Sequence, residues 1–237
     1  MVESDNILID CTNVSKQFGY FFALKRVSVK IRENLTVGIA GANGAGKTTL
    51  IKILSGLLSP SIGEVVIGGM NYTDHSDFLK QNIGIISDES FLYQELTIYE
   101  NLKFYDNLHL NFNKKQIRAK IDRFARIFNL TDWIDEPVRN LSHGMKQKVE
   151  LMRILIHHPS ILFLDEPFTG LDVNATKILI DFLKELKKKE NITIVLTTHN
   201  IDLLQQICDE LIILKRGKLN SLISKENFDK IEIESYF

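Results

Sequence analysis

"LTVGIAGANGAGKTTLIKIL", Leu35 to Leu54, decides the fold. Leu35 to Ala40 is a short apolar run of the kind buried on both faces of a parallel sheet. A helix is predicted from Lys47 to about Ser55, stopped by Gly56 and Pro60. The turn between them, Gly41 to Thr48, matches the phosphate-loop pattern G-x-x-x-x-G-K-[ST] in the strand-turn-helix setting that pattern requires. Its glycines let the backbone curl so that N–H groups face phosphate oxygens. Lys47 then places a positive charge on the β- and γ-phosphates, and Thr48 offers a hydroxyl to Mg²⁺.

A second stretch, "ILFLDEP" from Ile161 to Pro167, is an apolar strand ending in two adjacent carboxylates. Beside a phosphate loop, Asp165 suits Mg²⁺, usually through water, and Glu166 suits a base for an attacking water. A third, "NLSHGMKQK" from Asn140 to Lys148, reads as a helix start. Ser142 is a natural N-cap, and Met145, Val149, Met152 and Leu155 follow at helical spacing. Such a helix start, with a hydroxyl and free N–H groups, is a second anion site. One ligand does not obviously need both.

The rest of the chain reads as alternating strands and helices, hence an α/β fold with a mostly parallel sheet. "ILIDCTNV", "KRVSVKI", "EVVIGG", "IGII", "ILFL", "ITIVLTT" and "LIIL" are predicted strands. From Thr97 to about His157 the pattern is helical and reads as an inserted subdomain. Thr97 and Glu100 form a capping box, and Ile117, Ile121, Phe124 and Phe128 share a face. Trp133 is expected in packing there. A further helix carries Ile178, Leu179, Phe182, Leu183 and Leu186, with Lys187 to Lys189 at its C-terminal end.

Bulk properties narrow the function. Among 237 residues, Lys plus Arg is 29 and Asp plus Glu is 30, which argues against nucleic acid as the main partner. The N-terminus is acidic with no apolar core, so no signal peptide is expected. No apolar run approaches the ~18 residues of a membrane span. Cys11 and Cys208 fit no metal spacing and read as reduced, structural thiols. The expectation is a soluble, cytoplasmic protein.

"LSHGMKQK" ahead of the helix leading into "ILFLDEP" resembles the signature motif of ATP-binding-cassette (ABC) ATPases, usually Leu-Ser-Gly-Gly-Gln. Other segments fall in that family's order. "VSKQFG" resembles the adenine-stacking loop, with Phe18 as its aromatic. "TGLD", ending at Asp172, resembles the loop that touches the opposing subunit. "LTTH" puts His199 at the switch histidine, and "CDELIILKRGKL" resembles the closing hairpin. The resemblance covers roughly residues 7 to 220.

The resemblance implies a P-loop NTPase fold with an N-terminal antiparallel β subdomain, an α-helical insert at about 88–157 and a short tail at 221–237. It implies that two such chains, as a homodimer, face head to tail with each ATP between one phosphate loop and the other chain's signature helix. Gly41, Ala42, Asn43, Gly44, Ala45, Gly46, Lys47, Thr48 and Thr49 would cradle the phosphates, and Phe18 would stack on adenine. Ser142 and Gly144 would touch the partner's nucleotide. Thr48, Asp88 and Asp165 would serve Mg²⁺, Glu166 would activate water, and His199 would sense the γ-phosphate.

Two departures stand out. Asp88 occupies the position of the family's usual glutamine, and His143 replaces the first glycine of the signature. Asp88, together with Met145 in place of the signature glutamine, fits the drug-export branch. The expectation is an ATP-hydrolysing export subunit working through a separate integral membrane permease on the inner face of the cell membrane. The segment from Asp88 to Glu100 would receive that permease, with Tyr93 a contact or a buried aromatic. The alternative is a non-transport member acting on ribosomes, DNA or iron–sulfur assembly.

Overall fold

The computed structural model describes residues 6–72, 75–108 and 114–230. Along the chain run β1 (Ile7–Phe18), β2 (Phe21–Arg32), β3 (Thr36–Ala40), α1 (Lys47–Leu54), β4 (Ile62–Ile67), β5 (Met70–Asn71), α2 (Ser76–Asn82) and β6 (Ile83–Ile86). Then follow α3 (Ile98–Leu108), α4 (Lys114–Ile127), α5 (His143–Leu155), β7 (Ile161–Asp165), α6 (Val173–Glu190), β8 (Thr193–Thr197), α7 (Ile201–Ile207), β9 (Glu210–Lys215) and β10 (Lys218–Ser224).

Two sheets form. The first is antiparallel, in the order β2-β1-β4-β5; the second runs β10-β9-β3-β8-β7-β6 and is parallel except for β10. The two follow different burial rules. β2 alternates, with Val27, Val29 and Ile31 buried and Ser28 and Lys30 exposed, because one face meets solvent. β3, β7 and β8 are buried throughout, because both faces are covered. Successive residues of β7 feed opposite cores. Leu162 and Leu164 join the helical side, while Ile161 and Phe163 join a second cluster with the antiparallel sheet and α1.

The capping box ahead of α3 and the buried face of α4 are as expected. The Thr97 amide donates to Glu100 and the Glu100 amide donates back to the Thr97 hydroxyl, at 2.9 and 3.1 Å. Ile117, Ile121, Phe124 and Phe128 are buried together. Between α4 and α5 the chain makes only single 3₁₀ turns, Thr131–Trp133 and Val138–Asn140. Trp133 is 43% exposed rather than packed, because it sits on one of those outward turns. His109 lies outside the described residues. Cys11 and Cys208 are buried free thiols, and burial pushes Cys11 up to about 12.

Asn101 organises the loop ahead of α3. Fully buried, it accepts from the Tyr93 amide at 2.8 Å and donates towards the carbonyls of Tyr93, Leu96 and Thr97 at 3.0 to 3.2 Å. Asn101→Ala leaves the Tyr93 amide without its acceptor, while the three carbonyls keep backbone donors from Leu96, Val138 and Asn101 itself. Urea unfolding is expected to show a loss of roughly 1–2 kcal/mol, the cost of one part-buried group left unpaired. A loss below about 0.5 kcal/mol would mean water replaces the amide.

Candidate functional site

The site lies at the carboxyl end of the parallel strands, where the strand order places three loops side by side. β8 sits between β3 and β7, so Thr197 is opposite Ile39 on one side and Asp165 on the other. The loops after these strands carry Gly41 to Gly46, His199 and Glu166, and the first turn of α1 carries Lys47 to Thr49.

The phosphate loop is built on positive φ angles and close packing. Gly41 has φ 147°, and a Cβ there would lie 2.3 Å from the Leu214 carbonyl oxygen. Gly46, the α1 N-cap, has φ 104°, and its Cβ would come within 2.7 Å of the Ala23 carbonyl oxygen. No other residue type fits either place without moving backbone. Ala42, Asn43 and Gly44 form the exposed crest, Ala45 is buried beneath it, and Thr48 and Thr49 are half-buried. Lys47 folds back over its own loop, donating to the carbonyls of Gly41 and Ala42 at 2.7 and 3.2 Å. Burial holds its ammonium below the usual lysine value, while Glu166 and Asp165 pull it back up.

Thr197 joins the Asp165 carboxylate to the Glu166 backbone, a role the sequence did not reveal. Its hydroxyl donates to Asp165 Oδ1 and accepts the Glu166 amide at 2.9 Å. Glu166 holds φ 49°, a left-handed conformation that costs a non-glycine residue of order 1–3 kcal/mol. Its carboxylate is 3.1 Å from His199 Nδ1, so the two residues predicted for hydrolysis meet within one chain. Beside them, the 168–171 loop and the 198–203 segment enclose a hollow of about 540 Å³ that includes Gly170, Leu171 and Thr198.

The other predicted residues lie on other elements. Phe18 is half exposed at the tip of the β1–β2 hairpin, with Lys16 Nζ 5.3 Å from its ring centroid. Ser142 caps α5, accepting the Met145 amide at 3.3 Å. The His143 ring lies against Gly170, where a Cβ would fall 2.2 Å from it, so His143 braces the signature turn on the neighbouring loop. Asp88, just after β6, pairs with Lys52 of α1 at 2.7 Å. The hydrogen bond from Lys52 holds the Asp88 carboxyl below its usual value. His157 and His158 form no metal cluster; among the described residues no group of three His, Cys, Asp or Glu could hold an ion.

The donor chemistry fits a hard cation. Thr48 and Asp165 supply oxygen, as Mg²⁺ demands, and among the described residues too few His, Cys, Asp or Glu side chains gather to hold it alone, as when phosphates and water complete the shell.

Among the described residues no helix is long and apolar enough to cross a membrane. The family model described as ABC transporter matches residues 24–169. The ABC transporter ATP-binding protein NatA of Bacillus subtilis (strain 168) is 35% identical over 216 residues, 88% of this chain and 87% of that protein. The sulfate/thiosulfate import ATP-binding protein CysA of Pectobacterium atrosepticum is 32% identical over 218 residues, 90% of this chain and 66% of that protein. The fold superposes with TM-score 0.84 and 27% identity on a dimeric post-hydrolysis state of the ATP-binding cassette MJ0796 bound to ADP and Pi, covering 92% of this chain and 99% of that one. The family match spans more than half of the chain and the relatives agree in kind, so the chain belongs to the ABC transporter family and carries that family's ATPase domain.

Proposed function

We propose that this chain drives a membrane transporter by hydrolysing ATP in two sites, each shared between two copies of it. What carries this reading is that Thr197 joins the Asp165 carboxylate to the Glu166 backbone and that the Glu166 carboxylate meets His199, beside the phosphate loop. In it, Lys47 exchanges the carbonyls of Gly41 and Ala42 for the β- and γ-phosphates. Thr48, Asp88 and Asp165 would hold Mg²⁺, which would supply charge neutralisation to the phosphates. Glu166 takes the proton of the attacking water, and His199 orients Glu166 and meets the γ-phosphate. Phe18 stacks on adenine. Ser142 and Gly144 close on the nucleotide of the other copy.

The membrane partner is proposed as a separate permease docking over the segment from Asp88 to Glu100. Phe91 and Tyr93 are exposed there, with Phe104 of α3 against Tyr93. Export is read from Asp88 and Met145 alone; the matched relatives do not carry the direction, since one is named for sulfate/thiosulfate import. Affinity purification from membranes tests the partner: an integral membrane protein is expected to co-purify. Recovery with ribosomes instead would favour the non-transport reading.

Asp88 enters this scheme through its pair with Lys52. A carboxylate on Mg²⁺ contributes charge that an amide does not. Asp88→Asn is therefore expected to raise the Mg²⁺ needed for half-maximal ATPase activity by roughly 3- to 10-fold, with metal-free nucleotide affinity unchanged. Lys52→Met is expected to lower it, because Lys52 competes for the same carboxylate. Superimposable Mg²⁺ titrations would make Asp88 a bystander to the ion.

A further inference from the structure

Phe18 ends β1 with its ring half exposed, and its neighbours hold it in place. Lys16 is half-buried, and its Nζ lies 5.3 Å from the Phe18 ring centroid. The same Nζ donates to the Ser59 carbonyl at 2.8 Å. Ser59 belongs to the loop between α1 and β4, and that loop holds β1 at two further points. The Ser61 amide donates to the Ser15 carbonyl at 2.8 Å, and the Gln17 amide donates to Ser61 Oγ at 3.1 Å. Ser15, Lys16 and Gln17 are thus each tied to residues 59–61, and Phe18 is the first residue beyond the tie. On its other side, Gln17 Nε2 donates to the Gly19 carbonyl at 2.7 Å and closes the hairpin tip around it.

A lysine near a strand end ordinarily keeps its charged head in water. Lys16 instead commits one donor to a backbone carbonyl, which fixes where the ammonium sits. An ammonium within about 6 Å of a ring centroid is attracted to the negative face of the ring. A base cannot share that face with it, so stacking is left to the opposite one. There the ammonium helps. Two π faces repel because both are negative, and a cation behind the ring draws electron density away from the face that meets the base. The larger π system gains more, which favours a purine over a pyrimidine.

We propose that Lys16 is a positioning residue for the base: anchored on the Ser59 carbonyl, it covers one face of Phe18, leaves the other to the nucleotide and favours purine over pyrimidine triphosphates. The role rests on the stacking of adenine on Phe18 proposed above. It asks nothing of the triphosphate, because the ammonium is committed to Ser59 and Phe18 on β1, while the phosphate loop follows β3. The anchoring loop leaves the C-terminal end of α1, whose first turn carries Lys47 and Thr48. One helix therefore supports both the phosphate end and the base end of the nucleotide site.

Calorimetric titration of the full chain with ATP, CTP and inorganic tripolyphosphate tests this. Lys16→Met keeps most of the aliphatic stem and removes the ammonium. It is expected to weaken ATP binding roughly 2- to 5-fold, the worth of a cation–π contact at an exposed site. CTP should lose less, and tripolyphosphate nothing. Lys16→Arg is expected to restore ATP affinity, since a guanidinium also stacks on a ring and donates to a carbonyl. Unchanged ATP affinity in Lys16→Met overturns the proposal. So does an equal loss for CTP or tripolyphosphate, or a failure of arginine to restore binding, since each marks a disrupted loop rather than a weakened stack. Phe18→Ala separates this role from the stacking itself. It is expected to weaken ATP roughly 5-fold or more and to leave tripolyphosphate unchanged. Adding Lys16→Met to Phe18→Ala should then cost nothing further, and a further loss overturns the coupling of the two side chains. Unchanged ATP affinity in Phe18→Ala would overturn the stacking of adenine on Phe18 and the role of Lys16 with it. A loss in Phe18→Ala with none in Lys16→Met would overturn only the role of Lys16.

Discussion

Glu166→Gln is expected to bind ATP as tightly as the wild type and to hydrolyse it roughly 100- to 10,000-fold more slowly, the usual worth of a general base. The substitution keeps the shape of the side chain and its contact distance to His199, and it leaves the backbone amide that Thr197 holds. What it removes is the capacity to take a proton from water. In the proposed scheme binding rests on the phosphate loop, where Glu166 acts on Lys47 through its charge. The variant should therefore accumulate as an ATP-bound dimer in size-exclusion chromatography, while the wild type cycles back to monomer. Turnover near the wild-type rate would move the base elsewhere. Slow turnover with no dimer would instead say that Glu166 matters for closure rather than chemistry.

Much of this centre was legible in sequence because adjacency in the chain did the work. Asp165 and Glu166 end an apolar strand, and Gly41 to Thr48 joins a strand to a helix, so local pattern alone placed them. Thr197 was not legible. In "LTTH" it reads only as a strand residue, and it acquires its role from the strand order, which sets β8 between β3 and β7. Lys52 reads as an ordinary helix-surface cation, since its partner Asp88 comes from a distant loop. Glu150 was hidden for another reason. It sits beside Val149 in a helix whose apolar stripe runs through Met145, Val149, Met152 and Leu155, and a charge there reads as solvated. It is buried because Phe91 and Tyr105 fold over Arg153 and the loop amides come to it. Helices α2 and α7 also escaped notice, each being too short to repeat an apolar period. Trp133 was misplaced because a long helical pattern hides where its 3₁₀ breaks fall.

The two anion sites answer to one ligand only if two chains meet, and Ser142→Arg tests that. Ser142 and the phosphate loop belong to different structural units. Ser142 caps α5 beside the 167–171 loop, whereas the phosphate loop packs on β2 and the β9–β10 turn. An arginine at the exposed N-cap should therefore spare ATP binding by the monomer. It should block closure, because a helix N-terminus stabilises an anion only at hydrogen-bonding distance and the larger side chain fills that space. Hydrolysis is expected to fall below detection. Lys47→Ala is expected to be equally inactive for the opposite reason, since its own loop no longer holds the phosphates. Mixing the two chains makes the distinction sharp. In a head-to-tail heterodimer one shared site collects both lesions and the other collects neither. With independent sites, each mixed dimer should recover about half of the wild-type rate; with strictly coupled sites, recovery fails though the geometry holds. A cysteine pair resolves that case. Ser142→Cys and Asn43→Cys, each on a different chain, should cross-link between subunits in the presence of ATP and not without it. A cross-link formed only within one chain would place both anion sites on the same nucleotide and end the two-subunit reading.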